Sequence, residues 1–118
     1  MQMNARKIRD KLSSLGFEVD VNAVVRGIAG FNYKFDLIVE NPSTGKKAIV
    51  IFLDKLDSRH VIPLLALRYD LDTQHVILAK QVEADTELIL NEAGFKVIKI
   101  SCGQEDENLA KRIACLLR

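Results

Sequence analysis

Apolar runs and polar punctuation alternate along this chain in a rhythm that predicts nine elements. Ala5, Ile8, Leu12 and Leu15 recur at helical spacing behind Asn4 as a cap, and Gly16 stops that first helix. "FEVDVNAVV" then alternates, Phe17, Val19 and Val21 to one side against Glu18, Asp20 and Asn22 to the other, as a half-buried strand does. "RGIAG" is a glycine-punctuated turn. "FNYKFDLIVE" is the second strand, closed by the turn "NPSTGK". "KAIVIFL" is almost wholly apolar and β-branched, which predicts a central strand covered on both faces. The three strands read as an antiparallel meander.

A helix runs through "RHVIPLLALRYDL". It starts at Asp57 or Ser58, or nearer His60 or Val61, so that Pro63 falls in the first turn. Tyr69 is expected on its core side. "QHVILAK" is a strand, "EADTELILNEAG" a helix stopped by Gly94, and "FKVIKIS" a further strand. "EDENLAKRIACLLR" closes the chain as an amphipathic helix, acids in its first turn and Arg118 near its end. The order is α-β-β-β-α-β-α-β-α. Strand–helix–strand units in the second half require parallel pairing with right-handed crossovers. The fold class is therefore α/β, a mixed central sheet with helices on both faces. Without repeat, linker or low-complexity segment, residues 1–118 read as one domain.

Composition narrows the function. With 118 residues there is room for one core. Apolar residues at 48% and charged residues at 28% are ordinary for a soluble protein. A formal charge of +1 means that any polyanion contact must come from local patches. No run reaches the roughly 18 apolar residues of a membrane span, and the N-terminus has no secretory pattern, so a cytoplasmic protein without membrane contact is expected. Cys102 and Cys115 lack metal-ligand spacing and read as small reduced residues.

"KFDLIVENPSTGKKAIVIFLDK", residues 34–55, sets an aspartate inside an apolar run just before a basic turn and a second apolar run. With "GFEVDV", an amphipathic helix, "HVILAK" and "TELILNEAGFKVIKI", this order resembles the restriction-endonuclease-like fold of the PD-(D/E)XK nucleases, in particular their Mrr-like and Holliday-junction-resolvase-like branches. The resemblance covers most of the chain. It implies a metal-dependent phosphodiesterase site. The second strand brings an aspartate; the third brings a carboxylate and a lysine two positions apart, projecting from one face. Two carboxylates then hold Mg²⁺ or Mn²⁺ beside the scissile phosphate, and the lysine steadies the attacking water and the developing charge.

Asp36 matches the family aspartate, with Phe35 where the nominal motif has proline. The next strand breaks the match. Aligned on "GKK", the carboxylate position falls on Ile51 and the lysine position on Leu53, so the motif is degenerate. A relocated site would draw on Asp36 and Asp54 as metal ligands with Lys55 or Lys34 as the lysine. Asp54 and Lys55, being adjacent, point to opposite faces of a regular strand and need a bulge or strand end to converge. Lys34 shares a strand face with Asp36. The plain alternative for Asp36 is a strand carboxylate bonded to a neighbouring turn or facing solvent.

Basic residues supply candidate phosphate contacts. Arg6, Lys7, Arg9 and Lys11 crowd the first helix with Asp10 as local acid, Lys46 and Lys47 sit in the hairpin turn, and Arg59 opens the second helix. Each also reads as a solvated surface charge, and "DKLDSRH" also as a helix cap. His60 and His75 lack zinc spacing, and no phosphate-binding glycine loop or nucleophile elbow occurs. Phe31, Tyr33 and Phe35 alternate on one strand, which reads as a face packed on a helix rather than a base-stacking platform.

Three functions compete. The first is a nuclease-fold domain that has lost the family's catalysis and binds nucleic acid or serves as a subunit in DNA processing. DNA is its expected partner and RNA is left open. The second is an active Mg- or Mn-dependent endonuclease with the relocated site. The third is a homodimeric interaction module without a nucleic-acid role. The unbroken "AIVIFL" favours the first over the second, and a homodimer or a larger nuclease complex is the expected assembly.

Overall fold

The computed structural model describes residues 5–71, 73–100 and 106–118, with the side chains of 106 and 107 excepted. Asn4 as a cap, Cys102, and the acids expected to open the last helix (Glu105 and the side chains of Asp106 and Glu107) lie outside the described residues. The elements follow the expected order: α1 (Ala5–Ser14), β1 (Glu18–Arg26), β2 (Asn32–Glu40), β3 (Lys47–Leu56), α2 (Val61–Asp70), β4 (Gln74–Val82), α3 (Ala84–Glu92), β5 (Phe95–Lys99) and α4 (Asp106–Leu116). The sheet order is β1-β2-β3-β4-β5. β1–β2 and β2–β3 are antiparallel, and β3–β4 and β4–β5 parallel.

Two cores sandwich the sheet. Ile8 and Leu12 of α1 and Leu109, Ile113 and Leu117 from the α4 region bury against Leu37, Val39, Val50, Val76 and Leu78 on one face. Leu64 and Leu67 of α2 and Leu90 of α3 bury against Phe35, Ile38, Ile49 and Ile77 on the other. β3 is central because both faces of Ala48, Ile49 and Val50 are covered. Gly16 and Gly94 adopt φ of 95° and 97° just past α1 and α3, a region closed to most side chains. Pro63 sits in the first turn of α2, after a 3₁₀ turn over Ser58–His60, where its missing N–H costs nothing.

Three expectations need correction. Leu15 lies beyond the end of α1 and is exposed. Tyr69 points to solvent, because Leu64, Leu67 and Asp70 fix the buried side of α2 one position away. Phe31 precedes β2 and is exposed, whereas Tyr33 and Phe35 stack with ring centroids 6.3 Å apart.

The β1–β2 hairpin changes faces midway. Val19 and Val21 pack on the α1/α4 core, but Ala23 and Val25 pack on the α2/α3 core. β2 mirrors this with Leu37 and Val39 on the first core and Phe35 and Tyr33 on the second. The switch falls at Asn22, whose φ is 54°, and at Asp36, and these two are skipped in an otherwise constant register. The outer half of the hairpin thus curls over the C-terminal end of α2. Asp70 anchors it there: its Oδ1 accepts the Ala29 N–H at 2.6 Å, its Oδ2 the Tyr33 hydroxyl at 2.7 Å, and its carbonyl the Ile28 N–H. The Tyr33 hydroxyl and the Ala29 amide hold the Asp70 carboxyl below its ordinary pKa, and the same bond raises that of Tyr33.

Candidate functional site

The hairpin's curl opens a split in the sheet. Pairing of β2 with β3 runs from Glu40–Lys47 to Leu37–Val50. Beyond that point β2 departs with the hairpin while β3 continues along β4. Asp36 is the first residue past the end of this ladder. Its half-buried carboxylate accepts the Phe52 N–H at 2.8 Å, a donor that the departing strand would otherwise leave unpaired. Asp36 therefore closes the split as a side-chain substitute for the missing backbone acceptor.

The residues across from it are apolar. Continuing the register, Ile51 faces Asp36, and Ile51 and Leu53 both pack against the α2/α3 core. Asp54 stands three residues past Ile51, about 10 Å farther along the strand. Its side chain is 91% exposed and pairs with Lys80 of β4 at 3.5 Å. Asp54 and Lys55 are both exposed ahead of buried Leu56, which interrupts alternation at the strand end. Because Phe35 and Leu37 lie on opposite cores, Lys34 and Asp36 do not share the face that a regular strand would give them. Among the described residues no group of three His, Cys, Asp or Glu side chains is placed to hold a metal ion. One half-buried carboxylate committed to an amide and one solvated carboxylate paired to a lysine do not fit a divalent cation held between two acids.

Charge gathers on the α1/α4 side of the split. By alternation with Tyr33 and Phe35, with Leu53, and with Ala79, the side chains of Lys34, Asp54 and Lys80 lie opposite the α2/α3 core. Ala5 packs on the same core as Phe52, so the first turn of α1 brings exposed Arg6 and Lys7 to this side. Arg9 is paired to Asp10 at 3.0 Å, and Lys11 is half-buried. Lys80 went unnoticed in the sequence. Its signal was a cation ending the apolar run "HVILA", level with Asp54 once β3 and β4 are known to be parallel.

The remaining candidates are tied into the scaffold. Asp57 caps the 3₁₀ turn, accepting the Arg59 N–H at 3.1 Å, while His60 Nδ1 accepts the Asp57 N–H. The Arg59 guanidinium forks onto the Asp57 carboxylate at 2.9–3.3 Å, and this bond holds the Asp57 carboxyl below its usual range. "DKLDSRH" thus forms a capping box. Lys46 Nζ donates to the Arg118 carbonyl at 2.8 Å and Asn41 Nδ2 to the Leu117 carbonyl at 2.9 Å, fastening the β2–β3 turn to the end of α4. Lys47, the first residue of β3, is exposed beside that turn.

No model of a known protein family matches the chain. An uncharacterized protein of Archaeoglobus fulgidus is 38% identical over 96 residues, covering 81% of this chain and 74% of that protein. A crystal structure of a repair endonuclease from Pyrococcus abyssi superposes with a TM-score of 0.56 at 15% identity, over 86% of this chain and 48% of that one. This chain therefore spans about half the length of that endonuclease, and the likeness makes the fold endonuclease-like. The EndoMS–dsDNA2 complex is more distant, with a TM-score of 0.48 at 10% identity over 89% of this chain and 48% of that one. Among the described residues no helix is long and apolar enough to cross a membrane.

Proposed function

We propose that this chain, which belongs to the same family as the uncharacterized Archaeoglobus fulgidus protein, is a nuclease-fold domain that has lost metal-dependent cutting and works by binding nucleic acid, DNA in the first instance, as one domain of a DNA-processing assembly. The observation that carries this reading is the state of the split. The Asp36 carboxylate is spent on the Phe52 amide, and Ile51 and Leu53, the positions where the resemblance would put the second acid and the lysine, are apolar and pack on the α2/α3 core. A phosphodiester cleaved in water needs a clamp for the charge that develops on it. A lone carboxylate repels that charge.

Binding asks for less. Arg6, Lys7, Lys34 and Lys80, on the α1/α4 side of the split, supply positive charge beside the exposed acid Asp54. Contacts of this kind grip phosphates without reading bases, and their strength falls steeply with salt.

Gel shifts with labelled duplex, single-stranded and branched DNA, and with RNA of matching length, test the proposal at two salt concentrations. Retardation at low salt that weakens at high salt, and that Arg6→Gln with Lys7→Gln reduces, is expected. No retardation of any ligand at low salt would overturn it in favour of an interaction module without a nucleic-acid role.

A further inference from the structure

The sheet divides the charge of this nearly neutral chain. On one side α3 carries Asp85, Glu87 and Glu92 and no cation. Glu18 and Asp20 of β1 lie on that side too, because they alternate with Val19 and Val21 of the α1/α4 core. Cations collect on the other side. Asn108, Lys111, Arg112 and Cys115 form an exposed stripe of α4, at i, i+3, i+4 and i+7, turned away from buried Leu109 and Ile113. The acids of α4 precede Asn108 and its cations follow. Arg118, exposed just past the helix, continues the cationic end. Asp10, the acid of α1, is already paired to Arg9.

α4 packs against α1 over one core, and packed helices lie about 8–10 Å apart. The stripe of α4 therefore runs beside the exposed Arg6 and Lys7 of α1. Those two mark the end of the layer nearest the split, since Ala5 packs on the same core as Phe52. The far end is fixed by Asn41 and Lys46, which tie the β2–β3 turn to the carbonyls of Leu117 and Arg118. Helices of 10 and 11 residues give this layer a length of about 15 Å, the rise of roughly four or five base pairs. What the surface lacks selects its ligand. Single strands are gripped by cations together with aromatic rings on which the bases stack. The exposed aromatics among the described residues, Phe31 and Tyr69, line a cleft on the α2 side instead. The α1/α4 layer offers charge on two neighbouring helices and no stacking platform, which suits a ligand whose bases stay stacked inside it.

Resting on the binding proposed above, we infer that α4 is a second phosphate-contacting element and that the ligand is a DNA duplex lying across the α1/α4 layer, not a single strand threaded into the split. Lys111 and Arg112 hold one backbone while Arg6 and Lys7 hold the other. The acidic α3 side faces away from the duplex, so the division of charge across the sheet also sets the orientation of approach. These are backbone contacts, which position the duplex without reading its sequence.

Fluorescence anisotropy of the full chain with a short labelled duplex, and with one of its strands alone, tests this over a salt series. The duplex should bind more tightly than the strand. Lys111→Gln with Arg112→Gln should keep the wild-type circular dichroism, since both side chains face solvent, and should lower the slope of log affinity against log salt by roughly 1.8. Bound duplex should also slow alkylation of the exposed Cys115, read by mass spectrometry of its peptide, a direct footprint that long-range attraction alone does not leave. An unaltered slope in the double variant with binding intact overturns the inference and leaves the binding reading standing, as does Cys115 alkylated at one rate free and bound. A single strand held as tightly as the duplex overturns the choice of ligand. Absence of all binding at low salt overturns the binding reading and this inference with it.

Discussion

Replacing Asp36 separates a structural carboxylate from a metal ligand. Asp36 Oδ2 accepts the Phe52 N–H at 2.8 Å at the place where β2 leaves β3. A hydrogen bond with a charged partner contributes about 1.5–3 kcal/mol, and deleting the acceptor also strands the donor. Asp36→Ala should therefore lower stability by about 2 kcal/mol, which for a chain of this size corresponds to a fall of about 8 °C in Tm. Asp36→Asn leaves an oxygen on the same stem, so it should keep all but about 1 kcal/mol of the wild-type stability. Urea unfolding followed by circular dichroism, with and without Mn²⁺, measures both quantities. The structural account expects Ala well below Asn, Asn close to wild type, and no movement of any midpoint with the metal. It is refuted if Asp36→Ala unfolds with wild type, or if Mn²⁺ stabilises wild type and Asp36→Asn abolishes that effect.

Three further outcomes follow from the same contacts. His75 is fully buried, its Nδ1–H donating to the Thr73 carbonyl at 2.7 Å and its Nε2 without a hydrogen-bond partner among the described residues, and burial lowers its pKa. The unfolded chain then takes up a proton near pH 6.5 that the folded chain refuses. Stability is full above about pH 6.5 and falls as pH drops from there to the lowered folded value, a slope that urea midpoints should show and His75→Gln should flatten. A Cβ on Gly27 would overlap the Asp70 carboxylate, so Gly27→Ala should cost about 1–3 kcal/mol in equilibrium unfolding. If Arg6 and Lys7 each contact a phosphate, removing both should reduce the slope of log affinity against log salt by roughly 1.8, whereas Arg59→Gln, whose guanidinium is forked onto Asp57, should leave that slope unchanged.

The element order was legible because each strand and helix carries its own period. "KAIVIFL" announced a strand covered on both faces, and the second and third strands joined by "NPSTGK" could only be a hairpin. Pro63 pointed to a start of α2 near His60 or Val61, and the helix begins at Val61. The curl of the β1–β2 hairpin was not legible. Every odd residue from Val19 to Val25 is half-buried, so alternation persists through Asn22 while the core being touched changes from one side of the sheet to the other. Tyr69 was misplaced for a related reason. α2 is apolar on nearly all sides, and no polar face marked the one turned outward.

The site divided in the same way. That Asp36 faces Ile51 could be read from the turn alone. That its carboxylate caps the Phe52 amide depends on β2 leaving β3 there, which only the three-dimensional pairing shows. Lys80 escaped notice because its partner Asp54 belongs to a neighbouring strand. Asp70 escaped because it is reached from a turn 41 residues away.

The most direct test of the central claim is prolonged incubation of the pure protein with end-labelled duplex and branched DNA in Mg²⁺ and in Mn²⁺, products resolved on a denaturing gel. The account predicts full-length strands in every lane, under salt conditions where the native gel shows bound DNA. Metal-dependent fragments that disappear with Asp36→Asn would contradict it, and would mean that Asp36 leaves the Phe52 amide to hold a cation.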